Sequence, residues 1–194
     1  MSHYTKEDII RIVEEEDVEF IRLQFVDIFG ILKNMAVTAK QLDSILNNRC
    51  TFDAAAINGF DTMHVDELVL VPDLDTFTIF PWRPQRGRVA RFICDVRYTD
   101  GTPFMGDSRY ILKQVIEEAA KDGYTLNVGP ESEFFLFDMS EDGQPTTNTS
   151  EKGGFFDIGP VDAGENARRD MVLNLEDMGY EIESSHHETA PAQH

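Results

Sequence analysis

The chain has 194 residues, of which 41% are hydrophobic and 14 are Phe, so it is long and apolar enough for one large domain or two small ones. This composition excludes an intrinsically disordered protein. The formal net charge of −19 argues against nucleic acid as a partner, because proteins bind phosphate backbones mainly through Lys and Arg.

Helix and strand patterns alternate irregularly along the first hundred residues. Thr5 and Asp8 have the spacing of a capping box, which predicts a short amphipathic helix after Thr5. Thr38 and Gln41 repeat this spacing before a second helix. Gly30 marks the turn of a hairpin. Period-2 alternation and turn residues predict strands at 18–25, 32–37, 68–71, 77–80 and 89–96.

A turn cluster, Thr-Asp-Gly-Thr-Pro at 99–103, gives the best domain boundary, so we predict domains at 1–103 and 104–194. After it, Asp107 has the position of an N-cap for a helix that Gly123 ends. The remaining pattern predicts a strand at 128–137, a polar surface segment at 138–154, a helix at 166–178 and a strand at 180–187.

The sequence shows no pattern for export or membrane insertion. No run reaches the roughly 18 apolar residues of a membrane span, and residues 1–8 lack the basic-then-apolar order of a signal peptide. Cys50 and Cys94 lack metal-motif spacing and suggest no disulfide framework, so we interpret them as packing residues. We therefore predict a cytoplasmic protein without a membrane partner.

Two glutamates interrupt an aromatic run, Gly-Pro-Glu-Ser-Glu-Phe-Phe-Leu-Phe at 129–137. In a strand, Glu131 and Glu133 share one face with Phe135 and Phe137, and the alpha carbons of the two glutamates lie roughly 6.5 to 7 Å apart. Two ionised carboxylates on a half-apolar face are costly unless cations compensate them, and a hard divalent metal accepts such oxygen ligands. The spacing alone leaves two interpretations open, a metal or acid/base site and the wet face of an ordinary sheet.

His186, His187 and Glu188 lie near the end of the last predicted strand, where functional groups are commonly placed. By themselves they also fit a pair of exposed imidazoles. No segment matches the GxxxxGK[ST] pattern of a phosphate-binding loop or the HExxH pattern of a zinc helix.

Several motifs together resemble type I glutamine synthetase of bacteria. The run at 129–137 and Ser-His-His-Glu-Thr-Ala-Pro-Ala-Gln-His at 185–194 carry most of the resemblance. It extends over the whole chain through the segments at 20–27, 80–82, 91–95, 101–104 and 164–166. The order and spacing of these motifs are more specific than any one of them.

The resemblance implies an α+β fold, with a β-grasp-like N-terminal domain followed by the first part of a catalytic split β-barrel domain. Such enzymes join glutamate and ammonia with ATP through a γ-glutamyl phosphate and work as homo-oligomeric, dodecamer-like rings. By this resemblance Glu131, Glu133 and Glu188 are ligands of two divalent ions, Mg or Mn. Asp53 matches the aspartate that reaches into a neighbouring subunit's site and helps to deprotonate ammonium. No residue is assigned to ATP.

The chain departs from the family pattern at the ammonium pocket. Ala56 replaces a serine of the family loop Phe-Asp-Gly-Ser-Ser-Ile, and Phe155 replaces the tyrosine of Gly-Gly-Tyr-Phe. Losing two neutral polar contacts to a small cation costs on the order of 1 to 3 kcal/mol. These changes predict weaker use of ammonia or a different amine acceptor.

The sequence ends at His194, where the family continues with another metal-binding Glu and most of the barrel. We therefore expect a truncated chain that does not make glutamine alone. Four functions stay open: a glutamine synthetase, a γ-glutamyl ligase for another amine, a non-catalytic protein that docks on full-length synthetase rings, and an acidic domain that merely binds divalent cations.

Overall fold

The computed structural model describes residues 4–61, 65–83 and 86–194. They divide into two units, Met1–Asn127 and Val128–His194. The elements of the first unit are α1 (Lys6–Glu15), β1 (Val18–Val26), β2 (Leu32–Thr38), α2 (Leu42–Leu46), β3 (Cys50–Asp53), β4 (Glu67–Pro72), β5 (Thr78–Ile79), β6 (Arg88–Tyr98) and α3 (Ser108–Lys121). The second unit contains α4 (Glu165–Asp177). The predicted mixture of helices and strands is confirmed.

The first unit is built on one sheet with the strand order β2-β1-β6-β4-β3, and β5 pairs with β6 outside this path. The β1–β6 pair is parallel, with Ile21 opposite Ala90, whereas the other pairs are antiparallel. Along β6 every second side chain is buried, as the alternating sequence predicts. This face forms one core with Ile9 of α1 and Ile45 of α2.

The first predicted capping box is present, and the second is not. The Thr5 hydroxyl accepts the Asp8 N–H at 3.1 Å, and the Asp8 carboxylate accepts the Thr5 N–H at 3.0 Å. Thr38 makes no such side-chain hydrogen bond, because a 3₁₀ turn over Ala39–Gln41 delays the start of α2 to Leu42. The prediction of a capping box at Thr38 was therefore wrong.

Asp107 begins α3 as predicted and also ties the helix to β6. Its carboxylate accepts the N–H of Arg109 at 3.0 Å and that of Val96 at 2.9 Å. Gly123 follows the helix with a φ of +82°, which glycine adopts without the strain of a Cβ. Arg109 adds ion pairs to Asp73 at 2.6 Å and Asp95 at 2.9 Å, so α3 is anchored to the sheet by charge.

Cys50 and Cys94 are free and buried in the core, which confirms the interpretation as packing residues. Burial raises the pKa of the Cys50 thiol and raises that of Cys94 to about 12. Both side chains therefore stay protonated at neutral pH. Within the described ranges, each helix is too short or too polar to cross a lipid bilayer.

Two strands predicted for the second unit are not formed in the structure. The segment at 128–137 contains no assigned strand. In the described chain, its pairing is limited to an isolated bridge between Phe135 and Gln193 and to backbone hydrogen bonds between residues 134–136 and 192–194. The segment at 180–187 contains no assigned strand. A strand needs a neighbour for its row of N–H and C=O groups, and the described residues give 180–187 no such ladder. The helix predicted at 166–178 is confirmed as α4.

Candidate metal site and its supporting network

Asp53 lies in the first unit, at the end of β3, with an exposed side chain. Its carboxylate accepts the N–H of Ala55 at 3.0 Å and so caps the 3₁₀ turn Ala54–Ala56. Ala56, also exposed, carries a methyl group where the resemblance places a hydroxyl. The end of β3 and this hydrogen bond therefore hold Asp53 in place with its side chain exposed.

Glu131, Glu133 and Glu188 lie in the second unit. Glu131 and Glu133 are exposed, and the rings of Phe135 and Phe137 stack beside them in sequence with centroids 5.5 Å apart. The Glu188 side chain is 15% exposed, and its carboxylate lies 3.3 Å from Nδ1 of His186. The stacking of Phe135 on Phe137 agrees with the period-2 alternation inferred for this part of the segment.

Gln193 connects two of these glutamates. Its side-chain amide donates to Glu133 at 2.8 Å, and its backbone carbonyl accepts the N–H of Glu188 at 2.8 Å. Phe134 and His194 exchange two backbone hydrogen bonds of 2.8 Å each, which fixes this pairing. The structure therefore brings the segments of Glu133 and Glu188 together, although the three carboxylates do not gather around one point.

The described residues contain one group of three ligand atoms within 4.8 Å of one another, from Asp162, His187 and His194. The positive charge of Arg168 of α4 already balances the negative charge of Asp162 in this group. Its guanidinium donates to the Asp162 carboxylate at 3.0 and 2.5 Å and to Nδ1 of His194 at 2.6 Å. A metal ion there would face a fixed positive charge, so the exposed glutamates suit a divalent ion better.

The pKa shifts of this cluster follow from its contacts. Hydrogen bonds from Arg168 hold the pKa of Asp162 below its ordinary value. Burial, together with the charge of Arg168, lowers the pKa of His194. A neutral His194 has the free lone pair on Nδ1 that accepts the Arg168 N–H. The cluster is therefore an ion pair joined to a neutral imidazole.

A second buried pair, Glu151 and His187, lies next to Glu188. Nε2 of His187 is 3.1 Å from both Glu151 oxygens, and Nδ1 is 2.6 Å from the carbonyl oxygen of Glu188. Burial alone lowers the pKa of His187, but these hydrogen bonds outweigh it and raise the pKa. They also lower the pKa of Glu151 despite its burial. Both ring nitrogens of His187 face oxygen acceptors, which is the arrangement of an imidazolium beside a carboxylate.

Two aromatic rings contact His186, whose imidazole lies beside the Glu188 carboxylate. Phe155 and Phe156 stack with centroids 4.1 Å apart, and both meet the His186 ring edge-on, at 5.3 and 4.7 Å. Phe155 is 55% exposed. Phe155, which lacks the expected phenol oxygen, therefore presents an exposed aromatic ring. The ring contacts His186, which in turn lies beside the predicted metal ligand Glu188.

Sequence comparison assigns this fold and these residues to a family. Residues 17–99 match the family model for the glutamine synthetase β-grasp domain, and residues 105–194 match that for the glutamine synthetase catalytic domain. The chain belongs to the glutamine synthetase family. These matches confirm the predicted fold class, whereas the domain boundary at 103/104 remains a prediction.

Curated relatives agree along the whole chain. Glutamine synthetase of Clostridium saccharobutylicum is 60% identical over 193 residues, which cover 100% of this chain and 44% of the relative. Glutamine synthetase of Staphylococcus aureus strain N315 is 54% identical over 192 residues, 98% of this chain and 43% of the relative. The chain thus spans less than half the length of the curated relatives it matches.

Solved structures support the fold independently. A cryo-electron microscopy structure of Plasmodium falciparum glutamine synthetase aligns with a TM-score of 0.77 at 17% identity, over 100% of this chain and 44% of that one. A GmaS/ADP complex aligns with a TM-score of 0.75 at 22% identity, over 96% of this chain and 42% of that one. At these identities the likeness concerns the fold alone.

Proposed function

We propose that these residues form the N-terminal part of an ATP-dependent glutamate–ammonia ligase that acts through γ-glutamyl phosphate. The observation that carries the proposal is the pairing of the Glu133 segment with the Glu188 turn through Gln193. The 60% identity to a glutamine synthetase supports it. The substrates are then glutamate, ammonia and ATP, and the protein acts in the cytoplasm as a dodecamer-like ring.

Glu131, Glu133 and Glu188 are the proposed ligands of two or more divalent ions, Mg or Mn. Their carboxylate oxygens match the ligand preference of these hard cations, and Glu131 and Glu133 are open to an incoming ion. When bound, such ions neutralise the phosphates of ATP and position the group that is transferred. The protein contributes the placement of the three carboxylates.

Asp53 is the proposed acceptor of a proton from ammonium, in the site of a neighbouring subunit. Its support is an exposed carboxylate that is held in place by the N–H of Ala55. A carboxylate near a bound ammonium favours its binding by charge and takes up the proton that must leave before the amine attacks.

A chimera tests this proposal. The 194 residues replace the matching N-terminal 44% of the Clostridium saccharobutylicum enzyme. We expect this chimera to make glutamine from glutamate, ammonia and ATP with Mg or Mn, and Asp53→Asn to lower its kcat about 100-fold through loss of the base. We expect a polypeptide of the 194 residues alone to form no more glutamine than its Glu131→Ala variant. A ring-forming but inactive chimera, beside an active parent, would instead support a non-catalytic subunit that docks on synthetase rings.

The aromatic face at Phe155 favours a second candidate, a γ-glutamyl ligase for an alkylamine. Phe155 presents an apolar ring beside His186 where the resemblance predicts a phenol oxygen, and Phe156 stacks on it. Ring faces attract alkylammonium ions and pack against their carbon atoms, whereas ammonium alone gains more from oxygen contacts.

Phe155→Tyr in the chimera is the matching experiment. Restoring one polar contact is expected to lower KM for ammonium about fivefold and to reduce the preference for methylammonium in kcat/KM. Phe20→Tyr, which changes an exposed ring of β1 in the first unit, serves as the control. An unchanged ratio of the two kcat/KM values in Phe155→Tyr would reject the alkylamine candidate.

A further inference from the structure

The buried carboxylate of Glu151 accepts hydrogen bonds from three parts of the second unit. Glu151 is 8% exposed. It accepts the N–H of Gly153 at 2.8 Å, Nε2–H of His187 at 3.1 Å and the N–H of Ala192. One side chain therefore joins the loop before Phe155, the histidine before Glu188 and the turn that ends in His194.

The turn that Glu151 holds is strained. Ala192 has a φ of +58° and is 1% exposed. A side chain with a Cβ rarely adopts this left-handed conformation, which persists where surrounding contacts fix it. Ala192 is fixed on both sides, because its N–H donates to Glu151 and its carbonyl accepts the N–H of Leu136 at 2.9 Å.

This turn sets the positions of two predicted metal ligands. Gln193, directly after Ala192, donates to the Glu133 carboxylate and accepts the N–H of Glu188. On the other side, His187 links Glu151 to the carbonyl of Glu188. Glu151 is thus connected to Glu133 by hydrogen bonds through the turn, and to Glu188 through both the turn and the imidazole of His187.

We propose that Glu151 is a positioning residue for the divalent-metal site, holding Glu133 and Glu188 where both bind the same group of ions. The inference rests on the proposed ligand roles of Glu131, Glu133 and Glu188. It assigns Glu151 no contact with the metal or the substrates. Its carboxylate acts through the turn around Ala192 and through the imidazole of His187.

The test measures Mn²⁺ binding to the 194-residue chain. Glu151→Gln keeps the size of the side chain but turns an NH₂ group toward N–H donors that need an acceptor. Electron paramagnetic resonance gives the Kd for Mn²⁺, and oxygen-17 relaxation of water gives the number of water molecules on the bound ion. Glu188→Ala removes a ligand directly, and Glu141→Gln changes an exposed acid in the same segment as Glu151.

We expect Glu151→Gln to raise the Kd for Mn²⁺ about 10-fold or more, as loss of a supporting partner does in other metal sites. At saturating Mn²⁺, water should replace the displaced carboxylate, so the water count should rise toward that of Glu188→Ala. Glu141→Gln should keep both wild-type values. The water count at saturation reports ligand geometry, which a change in stability alone would not alter.

Two outcomes separate the inference from the function on which it rests. If Glu188→Ala changes both values and Glu151→Gln changes neither, Glu151 does not position the ligands and the metal site stands. If Glu131→Ala and Glu188→Ala both bind Mn²⁺ as the wild type does, the metal site itself is wrong. Should Glu151→Gln unfold, Ala192→Gly is added, because glycine accepts the left-handed turn, and the double variant is measured in the same way.

Discussion

Arg168→Met is expected to lower the free energy of unfolding of the second unit by about 3 to 5 kcal/mol. The Arg168 guanidinium makes two hydrogen bonds to Asp162, whose side chain is 2% exposed. Methionine has a similar length and no charge, so it fills the space but leaves a buried carboxylate without its counter-ion. It also removes the donor to Nδ1 of His194.

The loss of stability in Arg168→Met should be largest near neutral pH and smaller in acid. Hydrogen bonds from Arg168 hold the pKa of Asp162 below its ordinary value of 3.8. A carboxyl group of this kind stabilises the folded state above that pH, and its contribution is lost as the pH falls through the folded pKa. In Arg168→Met, burial raises the pKa instead, and Asp162 takes up a proton. The difference in the free energy of unfolding between Arg168→Met and wild type should therefore become smaller as the pH falls from about 7 to about 4.

Hydrogen exchange measured by mass spectrometry is the suitable readout. The chain has one tryptophan, Trp82, and it lies in the first unit, so fluorescence does not report on residues 128–194. Faster exchange should appear at the amides of Leu136 and His194, which are bonded across the pairing that closes the second unit. Arg169→Met, an exposed neighbour on α4, is the control. Equal exchange in the two variants would show that the ion pair does not stabilise this unit.

The sequence was most informative where local patterns decide structure. Alternation along β6 and the capping box at Thr5 depend on residues two or three apart, and both are present. The segment at 180–187 alternates too, but a strand also requires a partner, which local pattern does not reveal. The capping spacing at Thr38 failed for a similar reason, because the chain forms a 3₁₀ turn there first.

The candidate site likewise contains residues that a sequence motif indicates and residues that only tertiary contacts reveal. Motif order predicts Asp53, Glu131, Glu133 and Glu188 as site residues by resemblance to a family. Glu151 was assigned to a polar surface segment, yet it is buried by contacts to residues 36 and 41 positions away. The Arg168–Asp162 pair likewise had no periodic or motif signal. Supporting residues of this kind depend on tertiary contacts, so only the folded chain reveals them.

Glu131→Gln in the chimera is expected to lower kcat/KM for glutamine formation about 100- to 1,000-fold, the loss typical of one electrostatic group at a reaction centre. Glutamine keeps the shape of the side chain and removes its charge. Glu131 is exposed, so the substitution should leave the fold unchanged. Initial rates at increasing Mn²⁺ measure the effect, and excess metal should restore part of it if the variant binds metal more weakly.

Glu133→Gln tests whether Glu133 acts through its negative charge or through the hydrogen bond that it accepts from Gln193. A glutamine carbonyl can still accept the hydrogen bond that Gln193 donates to Glu133, so the pairing with the Glu188 turn should survive. If Glu133 binds metal, Glu133→Gln should lose activity as Glu131→Gln does and also respond to added Mn²⁺. If Glu133 only anchors the turn, Glu133→Gln should keep wild-type activity and Glu133→Ala should lose it. An active Glu133→Gln would therefore remove Glu133 from the metal ligands while leaving its contact with Gln193 in place.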